Sequence, residues 1–137
     1  MKKLYELIEF QKLGDEFGEL VVAECGKHIP FDVRRIFYIY GTKQGVVRGR
    51  HANRKSRFLL INMFGSVKIK IDTGKKKDVI DLNRPNMGVY LDRMVWKDMY
   101  DFSEGSCLLV LSDELYDSKE YVRDYQEFLN EINNAKK

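Results

Sequence analysis

Apolar and charged residues alternate along much of this chain, most strictly between residues 66 and 72. In this stretch Val67, Ile69 and Ile71 are separated by lysines. A period of two places successive side chains on opposite faces of a β-strand, so we expect these three to be buried together. Residues 72–74, Asp-Thr-Gly, then predict a hairpin turn, and residues 77–82 the returning strand.

Other short strands are predicted between clusters of turn-forming residues such as glycine and asparagine. They cover residues 20–24, 34–40, 58–63, 88–91, 95–102 and 107–112. Regularly spaced short strands of this kind are typical of an antiparallel sandwich or a barrel of the jelly-roll type. We therefore predict an all-β fold.

Near the C terminus the apolar period changes from that of a strand to that of a helix. One stripe at helical spacing contains Tyr121, Val122, Tyr125, Phe128 and Leu129. These residues predict a C-terminal α-helix over about 118–132, capped by Asp117 and packed on the outside of the sheet. At 137 residues the chain fits a single domain, with a core over about 8–115 followed by this helix.

The charge balance argues against a nucleic-acid-binding protein. The chain has 24 Lys and Arg against 21 Asp and Glu, with a formal net charge of +3, whereas basic residues dominate a face that binds nucleic acid. No apolar run approaches the roughly 18 residues of a membrane span, and Glu6 precedes any stretch typical of a signal peptide. We expect a cytoplasmic protein.

The run from Arg48 to Lys55 contains His51, one of only two histidines in the chain. Imidazole both accepts and donates protons near neutral pH, and the arginines around it suit the binding of phosphate oxygens. The run therefore resembles a proton-transfer group beside an anion site. Taken alone, a charged run is more often a solvated surface, and this alternative stays open from composition.

His51 and Asn53 share one face of a strand because residues two apart point the same way. A metal site is disfavoured there, since Asn53 is a poor ligand for transition metals and the nearby Arg54, Lys55 and Arg57 are cationic. Cys25 and Cys107 lie far apart, without the C-x-x-C spacing of zinc sites. If the strand face lines a cavity, His51 acts there as a free base.

Several segments in order resemble the sugar 3,4-ketoisomerases of the cupin superfamily. Residues 45–53, GVVRGRHAN, with 58–65 resemble the first cupin motif with its second histidine replaced, and residues 88–99, GVYLDRMVWKDM, resemble the second motif with Lys97 replacing its histidine. Segments 14–18, 29–31, 34–40 and 121–129 extend the similarity over about residues 8–130. This family acts on dTDP-4-keto-6-deoxyglucose.

The resemblance implies a cupin-type antiparallel jelly-roll barrel and an isomerase that needs neither a metal nor another cofactor. The carbonyl moves from C4 to C3 through an enediolate, with His51 as the catalytic base. Lys97, Asn53, Arg48 and Tyr38 are expected to stabilise the enediolate oxygen or to hold the diphosphate.

Two further substrate contacts are predicted. Arg34 and Arg35 alternate across a strand, so only one of them faces the cavity, and we assign Arg34 to it. Trp96 is assigned to stacking on the thymine or the sugar, although aromatic residues of strands more often belong to the core.

Phe17 and Lys97 depart from the family pattern. Members that form the galacto product tend to carry arginine and histidine at these positions, and members that form the gluco product carry tyrosine and arginine. Phe17 is aromatic but lacks a hydroxyl, and Lys97 is taken as a cation that does not titrate. This pair is nearer the gluco set but matches neither set. The configuration of the product at C4 is therefore left open.

The resemblance also implies a homodimer, with exchange of the N-terminal strand around residues 4–10, and a role in making dTDP-3-amino-3,6-dideoxyhexoses for a surface glycan such as an O-antigen. Two other functions remain open. One is a dTDP-sugar 3,5-epimerase, which needs a second proton donor, usually a tyrosine. The other is a cupin that binds sugar nucleotides without catalysis.

Overall fold

The alternating segments form ten strands in a computed structural model that describes residues 3–135. A short 3-10 turn at Ser118–Glu120 and a helix, α1, complete the secondary structure. The elements are β1 (Tyr5–Glu9), β2 (Arg35–Tyr40), β3 (Arg48–Asn53), β4 (Phe58–Phe64), β5 (Val67–Asp72), β6 (Lys77–Leu82), β7 (Met87–Leu91), β8 (Trp96–Tyr100), β9 (Cys107–Ser112), β10 (Tyr121–Val122) and α1 (Tyr125–Asn134).

The strands form two five-stranded antiparallel sheets. The first has the order β1-β7-β4-β9-β2 and the second the order β10-β3-β8-β5-β6. Apolar side chains from the facing surfaces of both sheets form the main core, among them Leu60, Ile69, Val89 and Val110. This arrangement confirms the predicted jelly-roll barrel with a C-terminal helix.

The segment in which apolar and charged residues alternate most strictly forms the strand β5. Val67, Ile69 and Ile71 are all buried in the core, and burying each contributes about 1.5–3 kcal/mol. The predicted hairpin follows, since the Asp72 carboxylate accepts a hydrogen bond of 2.8 Å from the backbone N–H of Gly74. Gly74 has a φ of 89°, which glycine adopts at little cost.

The predicted strand at residues 20–24 is wrong. This segment makes only an isolated bridge between Lys12 and Val21. Its apolar side chains Val21 and Ala23 instead pack against a second cluster that includes Phe10 and Leu59. The segment is a covering loop over the outer face of the first sheet.

The predicted start of the C-terminal helix is also wrong. Tyr121 and Val122, assigned to the helical stripe, form β10 and pair with Asn53 and Ala52 of β3. The helix begins at Tyr125, after Asp124, whose carboxylate accepts from the backbone N–H groups of Gln126 and Glu127. Asp117 caps the preceding 3-10 turn instead.

The helix α1 covers the outer face of the second sheet. Phe128 is fully buried there in a cluster with Ala52, Trp96 and Val122. No helix within residues 3–135 is long and apolar enough to cross a membrane.

Candidate active site

A cavity of about 160 Å³ lies between the two sheets. Its walls combine apolar side chains such as Phe37, Phe58 and Val110 with the basic groups of Arg48, His51 and Lys97. The volume equals that of about five water molecules, which suits a single sugar ring better than a whole nucleotide.

A β-bulge in β3 lets Arg48 and His51 face this cavity although they are three residues apart. Arg48 pairs with Met99 and His51 pairs with Lys97, so the register shifts between Gly49 and His51. Gly49 and Arg50 have φ values of 86° and 58°. Because a bulge adds one residue that opposes none on the partner strand, Arg50 is the extra residue. Strict alternation from Arg48 would have turned His51 to the outside.

His51 is held as a neutral base. Its Nδ1 lies 2.9 Å from the carbonyl oxygen of Gly49, which can only accept, so Nδ1 carries the hydrogen and Nε2 keeps its lone pair. Burial, assisted by the positive charges of Lys97 and Arg123, lowers the pKa of His51 to about 3, although the bond to Gly49 opposes this. The ring lies against Tyr121, with 4.8 Å between centroids.

Lys97 is only 4% exposed. Its Nζ donates a 3.3 Å hydrogen bond to Oδ1 of Asn53 and lies 4.3 Å from the centroid of the Phe58 ring. Burial lowers the pKa of Lys97 to about 7, while the charge of Glu120 raises it and that of Arg35 lowers it. This lowered pKa differs from the expectation that Lys97 is a cation that does not titrate.

Glu120 supports this arrangement from behind the cavity. Its buried carboxylate accepts hydrogen bonds from the backbone N–H groups of Lys55, at 2.8 Å, and Ser56, at 2.9 Å, and from the Ser56 hydroxyl. These bonds tie the end of β3 to β10 and keep a negative charge near Lys97. The sequence assigned Glu120 to the helix and so missed this role.

Within residues 3–135 no group of three or more His, Cys, Asp or Glu side chains could hold a metal ion. The basic side chains that line the cavity with His51 are Arg48 and Lys97, which are poor ligands for transition metals. A reaction without a metal stays a prediction.

Two predicted substrate contacts on β2 lie outside the cavity. Tyr38 is 61% exposed and stacks on Tyr40 on the outer face of the sheet. Arg34 precedes the strand and its guanidinium lies 3.9 Å from the carboxylate of Glu114, near solvent. The strand turns Arg35 inward instead, with its guanidinium 5.3 Å from the ring centroid of Phe37.

Trp96 and Phe17 also lie away from the cavity. Trp96 precedes the inward-facing Lys97, so it points to the opposite face and packs against Phe128 with 5.6 Å between ring centroids. Trp96 is therefore a packed residue beneath the helix, as aromatic residues of strands more often are. Phe17 is 87% exposed and lies in a turn, where its backbone N–H donates a hydrogen bond to the Asp15 carboxylate.

The sequence analysis missed Tyr121 as a residue of the site, and it chose Arg34 where the structure turns Arg35 inward. Tyr121 lines the cavity and contacts His51. Arg35, Phe37 and Ile39 alternate with exposed residues along β2. This alternation along β2 is the sequence signal that favours Arg35 over Arg34 as the inward-facing arginine.

A larger cleft of about 640 Å³ lies on the outer face of the second sheet, beside α1. It contains Arg50, Lys70 and Arg123 but neither His51 nor Lys97. We assign the site to the smaller cavity because it holds the two groups whose pKa values burial lowers most.

Residues 3–133 match the family model described as FdtA: WxcM-like, C-terminal. A TDP-4-oxo-6-deoxy-alpha-D-glucose-3,4-oxoisomerase from Aneurinibacillus thermoaerophilus is 37% identical over 123 residues, covering 90% of this chain and 88% of that protein. A 3,4-ketoisomerase structure from Helicobacter canadensis has 42% identity and a TM-score of 0.91, covering 94% and 97% of the two chains.

The 3,4-ketoisomerase QdtA from Thermoanaerobacterium thermosaccharolyticum, in complex with TDP, is 37% identical with a TM-score of 0.93 and covers 98% of each chain. A variant of QdtA has been crystallised with TDP-4-keto-6-deoxyglucose.

Proposed function

The chain belongs to the FdtA family of WxcM-like C-terminal domains, and from this we propose that it is an isomerase converting dTDP-4-keto-6-deoxyglucose to the 3-keto sugar. The observation that carries the proposal is the neutral His51 beside Lys97 in a cavity of sugar size between the two sheets. The relatives act on the same class of sugar nucleotide.

The residues of the cavity suit a proton transfer between neighbouring carbons. The hydrogen on C3 is acidic because C3 lies next to the C4 ketone, and Nε2 of His51 removes it as the general base. The electron pair moves to the C4 oxygen and gives an enediolate. Transfer of the O3 proton to the C4 oxygen and return of a proton to C4 leave a ketone at C3 and a hydroxyl at C4, with no net oxidation.

Charge builds up on the enediolate oxygen, and a positioned cation or donor in a dry site stabilises it strongly. Lys97 in its ammonium form and the amide of Asn53 supply this stabilisation. Nδ2 of Asn53 is buried and has no hydrogen-bond partner among the described residues. It is therefore free to donate to the sugar.

Product analysis tests the reaction directly. The protein is incubated in D₂O with dTDP-4-keto-6-deoxyglucose, the 3-keto product is trapped with a 3-aminotransferase, and NMR reads the configuration at C4. We expect a 3-amino sugar with any deuterium confined to C3 and C4. Deuterium at C5 would instead identify an epimerase.

The variant His51→Asn tests the base. We expect turnover to fall by at least about 10² to 10⁴-fold, the usual contribution of general-base catalysis, while dTDP still binds. The matched control is His28→Asn, because His28 accepts from the backbone N–H of Glu24 and lies outside the cavity. Turnover by His51→Asn at the level of this control would exclude His51 as the base.

We also propose that the protein is a cytoplasmic homodimer. The outer face of β2 exposes Ile36, Tyr38 and Tyr40, and the nearby Met63 and Phe64 are exposed as well. Contiguous apolar surface of this kind is typical of a protein interface. The strand β1 pairs with β7 of its own chain, and its exchange between subunits stays a prediction.

A further inference from the structure

The cleft on the outer face of the second sheet, here named the outer cleft, is separate from the catalytic cavity. Its volume of about 640 Å³ is within the usual range of small-molecule sites. Its floor contains Trp96, Asp98 and Tyr100 of β8, which alternate with Lys97 and Met99 of the cavity. The two share no lining residue, so the outer cleft is a second candidate site.

Four basic side chains line the outer cleft. Arg50 comes from β3, Lys70 from β5, Lys77 from β6 and Arg123 from the segment between β10 and α1. None of the four forms an ion pair within residues 3–135. All four are exposed, and exposed charge alone is also found on an ordinary solvated face. In a concave surface, however, charges of one dominant sign concentrate ions of the opposite sign, so the outer cleft favours an anion.

A buried carboxylate oxygen distinguishes the outer cleft from a solvated face. Oδ1 of Asp98 is shielded from solvent and has no hydrogen-bond partner among the described residues. Lys70 lies opposite Asp98 in the pairing of β5 with β8, yet the two form no ion pair. The other carboxylate, that of Asp72, is engaged by the backbone N–H of Gly74 and the Tyr125 hydroxyl. Because buried acceptors are nearly always bonded, the open oxygen of Asp98 indicates a ligand that donates a hydrogen bond.

The ligand that fits has phosphates at one end and hydrogen-bond donors at the other. The two arginines present forked donors that match phosphate oxygens, and the two lysines add point charges. Tyr100 and Tyr125 line the same cleft and suit contact with a planar ring. Asp98 then accepts from an N–H or O–H group of the base or the ribose. A nucleoside diphosphate or triphosphate has all of these parts.

We propose that the outer cleft binds a nucleoside diphosphate or triphosphate at a second site, apart from the catalytic cavity. The basic residues hold the phosphates, and Asp98 selects for an attached nucleoside. The assignment does not rest on the proposed reaction, because no residue of the outer cleft belongs to the cavity.

Titrations with ADP and with inorganic pyrophosphate at fixed ionic strength test the assignment. The chain's single tryptophan, Trp96, lies in the outer cleft, so its fluorescence reports binding there beside calorimetry. We expect both probes to bind, ADP more tightly. For the double variant Lys70→Met with Lys77→Met we expect the affinity for both to fall about 10-fold or more, because charge-assisted contacts are lost. The control Lys68→Met with Lys75→Met removes the same charge from the same hairpin outside the cleft and binds both probes as the unmodified protein does.

The variant Asp98→Ala tests recognition of the nucleoside. Loss of the carboxylate charge helps both probes alike, whereas loss of the acceptor affects ADP alone. We therefore expect the ratio of ADP affinity to pyrophosphate affinity to fall about 3- to 10-fold, as for one hydrogen bond.

The absence of ADP binding, or equal ADP affinities of the two double variants, would overturn the proposal. So would binding of ADP that leaves the Trp96 fluorescence unchanged, because the ligand would then lie elsewhere. An affinity ratio that Asp98→Ala leaves unchanged would show recognition of phosphate alone and overturn the nucleoside assignment. The titrations involve no turnover, so conversion of the keto sugar without ADP binding would remove the second site and leave the proposed function standing.

Discussion

Burial lowers the pKa of both His51 and Lys97, but it leaves them in different protonation states at neutral pH. With a pKa of about 3, His51 is almost entirely neutral and available as a base. With a pKa of about 7, Lys97 is divided between ammonium and amine. One low-dielectric cavity thus holds a base that is always ready beside a cation whose charge depends on pH.

The pH dependence of kcat/KM should reflect Lys97. Since the pKa of Lys97 is lowered from 10.5 to about 7, the ammonium that stabilises the enediolate is lost as the pH rises through 7. We expect kcat/KM to decline above about pH 7. His51 should cause no decline on the acid side until the pH nears 3, provided that the protein stays folded.

The variant Lys97→Arg provides the comparison. Arginine stays charged at all accessible pH values, so the decline above pH 7 should disappear, even if the larger side chain lowers the overall rate. An unchanged decline in Lys97→Arg would show that another group titrates.

At the level of elements, the bulge in β3 determines what the cavity contains. The bulge lets His51 face inward three residues after Arg48, where strict alternation would turn it outward. It also requires a left-handed backbone at Gly49. A Cβ at Gly49 would lie 2.8 Å from the carbonyl oxygen of Lys97. The bulge therefore depends on glycine for space as well as for φ.

The variant Gly49→Ala tests this dependence. The methyl group must displace the β8 backbone at Lys97, so we expect a loss of stability larger than the roughly 1–2 kcal/mol of a left-handed alanine alone, together with lost activity. The control is Gly45→Ala, because Gly45 has a similar φ of 84° but an added Cβ would meet no atom within 4 Å. Equal unfolding free energies of the two variants in urea would contradict the argument.

The sequence correctly predicted the elements that are determined by residues close together in the chain. The alternation around Ile69 and the hairpin at Gly74 needed no knowledge of distant residues. The bulge at Gly49 depends on pairing with β8, and a glycine in a strand does not by itself specify such pairing. The helix start was wrong because Tyr121 fits a helical stripe and a strand equally well.

The same limit explains the results for the site. His51, Asn53 and Lys97 were predicted as site residues because their motif segments carry a family resemblance. The sequence analysis chose Arg34 over Arg35 because it could not tell which set of alternating residues in β2 faces the core. Exposed tyrosines on the other face of β2 make both faces of the strand look apolar.

At the scale of the whole molecule, the two sheets have unlike outer surfaces. Helix α1 covers the second sheet around Phe128, whereas the β2 edge of the first sheet leaves Ile36 and Tyr40 exposed at 59% and 71%. An exposed edge strand with an apolar face invites pairing with another chain. A second copy of this protein is the proposed partner.

The double variant Ile36→Glu with Tyr40→Glu should be a monomer by light scattering, because each subunit would bring two carboxylates into the buried interface. The control is Val79→Glu, which places a charge at an apolar position of 48% exposure on β6, in the other sheet. We expect this control to remain a dimer. Identical masses for the two variants would exclude the β2 face as the interface.

The lowered pKa of Lys97 also makes this side chain a nucleophile. Exposed lysines are almost wholly protonated at pH 7, whereas a large share of Lys97, which is only 4% exposed, carries a free lone pair inside the cavity. A small aldehyde that enters the cavity should form an imine there, and borohydride would make the attachment permanent. Lys97 thus offers a buried attachment site for a covalent probe, one that a bound sugar would block.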